Sequence, residues 1–218
     1  MEYVKICGLK KEEDIKICSD YGANAVGFIY NVPESPRNLN KAELLELVNS
    51  VPERISTVVV FKPKDIIEIE NIIDEIKVNY YQIHVGFDLE ELKDLSSDQK
   101  RKLIIALKVA QSNKNTIIKQ INKFHDLFFA FLLDNSEGQG KKLNFELLQE
   151  IKSKINDAKI IIAGGIEPEN LKGIALWLNP YGVDASSSLE SEKGVKDPIK
   201  IKKFLNEINN LKDLECER

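Results

Sequence analysis

Short runs rich in Val, Ile and aromatic residues recur along the chain, starting near Tyr3, Ala25, Ser56, Asn79, Leu103, Leu127, Lys159 and Gly182. Their starts fall about 22 to 32 residues apart, a spacing that holds a helix between strands and not a hairpin turn. Several runs, such as STVVVF, LIIAL and KIIIA, are apolar on both faces, as parallel strands covered on each side must be. The stretches between them carry helical periodicity. In LNKAELLELVNSV the apolar positions Ala42, Leu44, Leu45, Leu47 and Val48 fall three and four apart behind Asn40, which is placed to cap. Asp197 followed by Pro198 reads as an N-cap and first-turn proline opening the last helix. The fourth crossover, around DLEELKDLSSDQK, is short and polar. Eight βα units predict a closed (β/α)8 barrel, a single α/β domain over 1–212 followed by a short tail at 213–218. A doubly wound sheet fits less well, since it uses fewer strands and a glycine-rich first turn, and no G-x-G-x-x-G follows the first run.

Composition narrows the functional classes. With 31 basic and 35 acidic side chains the net charge is −4, which gives no basic field for a nucleic-acid backbone. Hydrophobic residues make up 43% and charged ones 30%, ordinary globular usage. The longest apolar run, Leu127 to Leu133, stops at Asp134, too short to span a membrane. The segment MEYVKICGLKKEED has no apolar leader core, so the chain reads as mature protein. Cys7, Cys18 and Cys216 are too few for a disulfide framework and lack zinc-ligand spacing, so a cytoplasmic setting and no metal are expected.

In a barrel of parallel strands the residues just after each run share one rim, where barrel enzymes place their chemistry. Read in order, those positions are Cys7, the loop NVPESPRN with Arg37, Lys62, Gln82 and His84, Lys108, Asp134, Gly164 and Gly165, and Asp184 to Ser188. Cys7 either leans into the mouth or packs as a small hydrophobe, with Gly8 after it allowing close approach. Asp134 directly follows seven apolar residues, where a carboxylate is expensive unless it reaches solvent or partners; this suits a general acid or base. The paired glycines 164 and 165, joined to the hydroxyls of Ser186, Ser187 and Ser188 one unit later, suggest backbone donors for the phosphate of a small ligand. Arg37 offers a planar fork that can clamp a carboxylate, a task lysine does poorly. His84 shares one strand face with Gln82, whereas His125 falls on the opposite rim and is given no role. The glycine-rich SEGQGKK, residues 136–142, reads as a loop over the mouth without the Walker pattern.

Taken in order, VKICGL, NAVGFIYNVPESPR, QIH, FLLDNSEGQGKK, IIAGGIEPEN and VDASSSLE span essentially the whole chain and resemble the phosphoribosylanthranilate isomerases of tryptophan biosynthesis. The resemblance implies a (β/α)8 barrel that carries out an Amadori rearrangement of a phosphorylated substrate, without cofactor, as a monomer or homodimer. By position, Cys7 matches the family's general base and Asp134 its general acid. Arg37 matches the residue that holds the anthranilate carboxylate, Asp184 an acid near the substrate, and Gly164, Gly165, Ser186 and Ser187 the phosphate loops, with His84 among the substrate-binding candidates. There are departures. Ser188 stands where the family usually has Gly, Val85 follows His84 where Gly is usual, and Asn38 follows Arg37 where an aromatic is common. Two alternatives stay open: a sister barrel acting on ribose phosphates, which would be expected to end its first strand in Asp or Lys and not Cys7, and a non-catalytic phosphosugar-binding barrel that regulates a partner.

Overall fold

The structure is a computed structural model that describes residues 1–135 and 143–216, with side chains as far as Lys212. Eight parallel strands form its centre: β1 Tyr3–Cys7, β2 Ala25–Tyr30, β3 Ser56–Phe61, β4 Tyr80–Ile83, β5 Leu103–Lys108, β6 Ala130–Asp134, β7 Ile160–Ala163 and β8 Gly182–Ala185. Each pairs with the next, and β1 pairs with both β2 and β8, which closes the sheet into the expected (β/α)8 barrel. Around it lie α1 Glu12–Asp20, α2 Lys41–Ser50, α3 Ile66–Glu75, α4 Ser97–Lys100, α5 Lys114–Phe124, α6 Phe145–Lys152, α7 Pro168–Gly173 and α8 Pro198–Cys216. Among the described residues no helix is long and apolar enough to cross a membrane.

Strand alternation sorts side chains into two cores. Val4, Ile6, Val59, Phe61, Ile105, Leu107, Phe131 and Leu133 point outward and pack with the helices. Tyr3, Cys7, Val58, Val60, Ile104, Ala106, Ala130, Leu132, Ile161 and Ala163 point inward and fill the barrel. At the floor, beneath the strand starts, Tyr3 stacks on Tyr181 and Tyr80 on Phe129. The Lys159 ammonium lies 4.8 Å from the Phe129 ring and 5.0 Å from that of Tyr181.

Local chemistry sets the helix starts. Asn40 closes a reciprocal capping box with Glu43, accepting from the Glu43 N–H while its own N–H reaches the Glu43 carboxylate. The Asp197 carboxylate accepts from the Ile199 N–H at 2.8 Å, as its place before Pro198 foretells. The polar fourth crossover folds as a 3-10 turn over Leu89–Asp94 followed by the single turn of α4, in keeping with its sequence. Three details differ from expectation. The sixth strand begins at Ala130 and not Leu127, because Phe128 turns outward to the helical core while Phe129 joins the floor. Helix continues to Cys216, into the segment expected as a tail. A hairpin, Glu190–Glu192 against Val195–Lys196, follows β8, an element that no sequence pattern had signalled.

Closure depends on a close approach at Gly182, which sits opposite Tyr3 in the β1–β8 ladder. A Cβ there would collide with the Tyr3 carbonyl oxygen and stand 2.6 Å from the Tyr3 Cβ. Gly182→Ala is therefore expected to lose about 3 kcal/mol or more of stability in urea unfolding, since backbone and not a flexible side chain must give way. Gly86→Ala, where a Cβ meets nothing within 4 Å, serves as the control and should unfold at nearly the wild-type midpoint.

Candidate active site

The inward face of β1 carries Tyr3, Lys5 and Cys7, and Lys5 has no exposed surface. Its Nζ lies 2.6 Å from Asp184 Oδ2, the residue directly opposite in the ladder between β1 and β8. Space for this comes from Gly27 on β2, where a Cβ would stand 2.9 Å from both Cys7 Sγ and Lys5 Cε. A glycine inside the apolar run AVGFIY is thus the imprint of two side chains crossing it. Burial works against the Lys5 charge, yet Asp184, with Cys7 adding to it, holds the ammonium above its ordinary pKa.

Cys7, at the rim of the barrel, is 5% exposed. Burial pushes its thiol up, and the Lys5 charge is the largest opposing influence; Asp184 adds to the rise and Lys196 reduces it. Asp184 is likewise raised by burial, against the pull of Lys5, and the charge of Asp134 raises it further. Asp134 ends β6 opposite Lys108 and Ala163 in the ladders, half-buried. Its charge also reaches His84, whose pKa is lowered chiefly by burial, so that the imidazole is neutral at pH 7. The barrel mouth therefore gathers Cys7, His84, Asp134 and Asp184 into one electrostatic cluster with Lys5 beneath it. Among the described residues no three His, Cys, Asp or Glu side chains come together as metal ligands.

Arg37 sits over the same rim, and its fork is already engaged. Its Nε and Nη2 donate to the two carboxylate oxygens of Glu190 at 2.6 and 2.7 Å. Glu190 also accepts from the Gly194 N–H at 3.0 Å and from Lys196 Nζ at 2.9 Å. Burial disfavours the Glu190 charge, but these donors, Arg37 foremost, bring its pKa down to about 2. A ligand carboxylate can therefore meet Arg37 only at the outer edge of the guanidinium. His125 contacts Asp126 away from this cluster. Lys62 is exposed and pairs with Glu34.

After β7, Gly164 and Gly165 both take left-handed backbone, at φ of 86° and 67°. The Asn170 amide fixes the turn by donating to the Gly165 carbonyl at 2.7 Å. Ser188 Oγ donates to the Ile166 carbonyl and so ties the loop after β8 to the glycine turn. Ser186 Oγ donates to the Cys7 carbonyl at 3.1 Å, whereas Ser187 is exposed at the start of a 3-10 turn. The expected mouth loop, 136–142, lies outside the described residues; on its flanks Asn135 Oδ1 accepts from the Asn144 N–H at 2.6 Å.

The sequence model described as N-(5'-phosphoribosyl)anthranilate isomerase matches residues 4–207 of this chain. The chain belongs to that family. It is 35% identical over 218 residues to the phosphoribosylanthranilate isomerase of Clostridium acetobutylicum, covering 97% of this chain and all of that one. The corresponding protein of Methanosarcina acetivorans is 31% identical, covering 94% and 92% respectively. A solved phosphoribosylanthranilate isomerase in complex with reduced 1-(o-carboxyphenylamino)-1-deoxyribulose 5-phosphate superposes with a TM-score of 0.79 at 25% identity, covering 96% of this chain and 100% of that one.

Within the phosphoribosylanthranilate isomerase family, Ser188 is the departure that most threatens loop geometry. It brings no left-handed strain: among the described residues other than glycine, only Asn31 and Asn179 have positive φ. Its hydroxyl instead supplies the tie to Ile166. Three residues of the site went unnoticed in the sequence. Lys5 could have been found as a charge on the inward face of a buried strand, but Glu190 and Lys196 are delivered by a hairpin that no pattern announced.

The Glu190 network has a pH signature. A carboxylate whose folded pKa lies near 2 against an ordinary 4.5 contributes stability that is complete above the unfolded value and is lost as pH falls towards the folded one. Between pH 4.5 and 2 the wild type should lose roughly 3 kcal/mol more than Glu190→Gln, which has no proton to take up there. Urea denaturation at stepped pH checks this; parallel curves for the two proteins would contradict it.

Proposed function

We propose that this chain converts N-(5-phosphoribosyl)anthranilate into 1-(2-carboxyphenylamino)-1-deoxyribulose 5-phosphate in tryptophan biosynthesis, with Asp134 as general acid and Cys7 as general base. What carries the reading is the meeting of Cys7 and Asp134, the ends of β1 and β6, at one barrel mouth with two further carboxylates and two buried lysines. Membership of the family supports the substrate. The reaction is an Amadori rearrangement. Asp134 gives a proton to the furanose ring oxygen, the ring C–O bond breaks, and a Schiff base forms at C1′. The Cys7 thiolate then removes the C2′ proton, leaving an enolamine that tautomerises to the ketone.

Arg37 receives the anthranilate carboxylate at the guanidinium edge left open by Glu190. The Gly164–Gly165 turn and the Ser186–Ser187 segment take the phosphate, chiefly through backbone N–H groups, since the Ser186 hydroxyl is spent on Cys7. Neutral His84, and Asp184 balanced by its ion pair with Lys5, line the sugar site. A cytoplasmic setting and a small phosphorylated substrate fit membership of this biosynthetic family.

The decisive measurement is the fluorescence loss of enzymatically generated phosphoribosylanthranilate on adding this protein. Cys7→Ser should fold and lose at least about 100-fold in kcat, because a hydroxyl is too weak an acid to ionise near neutrality. Asp134→Asn should abolish turnover while still binding the reduced product analogue, as isothermal titration would record; turnover at a comparable rate would remove Asp134 from the role. Cys7 must be ionised and Asp134 protonated in turn, so kcat/KM should be bell-shaped in pH, with apparent pKa values that belong to the coupled site and not to either residue. Arg37→Lys loses the fork on Glu190 as well as the ligand edge, so KM should rise more than kcat falls. Tight analogue binding by the wild type with no turnover would favour a regulatory barrel instead.

A further inference from the structure

Lys5 takes no part in the acid–base scheme, yet it is a charged side chain with no exposed surface directly below the base. Two explanations compete. It could be barrel filling that happens to carry a charge, or it could serve Cys7. A lysine kept only as filler would need nothing but its partner Asp184, 2.6 Å away. The Lys5 stem instead converges with Cys7 Sγ over Gly27, so its charge favours the thiolate as well as pairing with Asp184. Bound to a carboxylate in this way, it is held in the charged form and cannot itself accept the substrate proton.

We propose that Lys5 is a positioning residue for the isomerisation: its ammonium, anchored on Asp184, is the counter-ion that lets Cys7 exist as a thiolate inside the barrel mouth. This rests on the reading of Cys7 as base. In the ionised fraction of the enzyme the S–H bond has broken, the proton has left to bulk water through the mouth, and the electron pair stays on sulfur against Lys5. When the thiolate later takes the C2′ proton, Lys5 keeps all of its own.

Other charges face the same sulfur. Arg37 and Lys196 lie on its outer side, but both are bound to Glu190, at 2.6 and 2.9 Å. Asp184, from β8, opposes ionisation of the thiol, whereas Tyr3 below is a neutral phenol whose own pKa is pushed up by burial and, in part, by the Cys7 charge. His84 is neutral, and Asp134 acts on Asp184 and His84 across the mouth. Lys5 is the strongest favourable influence on the thiolate among them, and it stands against burial as the main unfavourable one.

The test uses the full chain with Cys18→Ser and Cys216→Ser, so that Cys7 is the sole thiol, and follows its ionisation by ultraviolet thiolate absorbance against pH beside the kcat/KM profile. Lys5→Met, of similar length and no charge, leaves Asp184 buried without its partner. Lys5→Met/Asp184→Asn removes both charges and keeps the shape, and it remains available should the single variant fail to fold. In both, the thiolate should appear at least about one pH unit higher, with kcat/KM on the rising limb about tenfold lower at fixed pH. Unmoved titration in both variants overturns the proposal. A shift in the single variant that vanishes in the double one overturns it too, since the cause would be the orphaned carboxylate. Cys7→Ser separates the two levels: an active Cys7→Ser enzyme removes the base assignment, whereas an inactive one combined with unmoved titration removes only the role of Lys5.

Discussion

A lysine and an aspartate meet inside this barrel at the seam where its first and last strands join. Taking two charges out of water is expensive, and the attraction between them offsets that only with close geometry. Lys5 and Asp184 have it at 2.6 Å, and they have it because β1 and β8 pair in a register that sets them side by side. Should the ladder slip by one residue, one side chain of the pair would turn outward among the helices. Removing one partner of such a pair typically destabilises by about 3–5 kcal/mol, so closure of the barrel and assembly of the site are energetically one event.

Two buried carboxylates of the site show how environment decides protonation. Asp184 has Lys5 on one oxygen, while the other finds no hydrogen-bond partner among the described residues, and burial raises its pKa. Glu190 accepts from Arg37 twice, from the Gly194 N–H and from Lys196, and stays ionised into strong acid. Glu190 satisfies more donors, and Asp184 lies deeper in the barrel, where burial weighs more heavily on its charge. Glu190 thereby fixes the Arg37 guanidinium in one plane before any ligand arrives, which reduces the ordering that binding must supply.

The barrel was legible because its signals are periodic and local. Runs such as STVVVF and KIIIA can be buried on both faces only in a covered parallel sheet, and Asn40 and Asp197 mark their helix starts by chemistry that acts over three residues. Cys7, Asp134 and the paired glycines were legible for a related reason, since a parallel barrel sends every strand end to one rim. Glu190 and Lys196 were not. They depend on a hairpin whose partner strand has two residues, too few to leave an alternation, and on contacts to Arg37 across more than half the chain. The start of β6 was misplaced because Leu127 to Phe129 are as apolar as the strand itself, and what separates them is tertiary: one ring goes to the helices and the next to the floor.

That floor of stacked rings under Lys159 gives the barrel a direction. With Tyr3, Tyr80, Phe129 and Tyr181 closing the end where the strands begin, traffic through the interior has a single doorway. Whatever is made at the rim must leave by the route its precursor used, so the two forms exclude one another. Departure of one molecule then becomes the condition for arrival of the next, because both compete for the same rim.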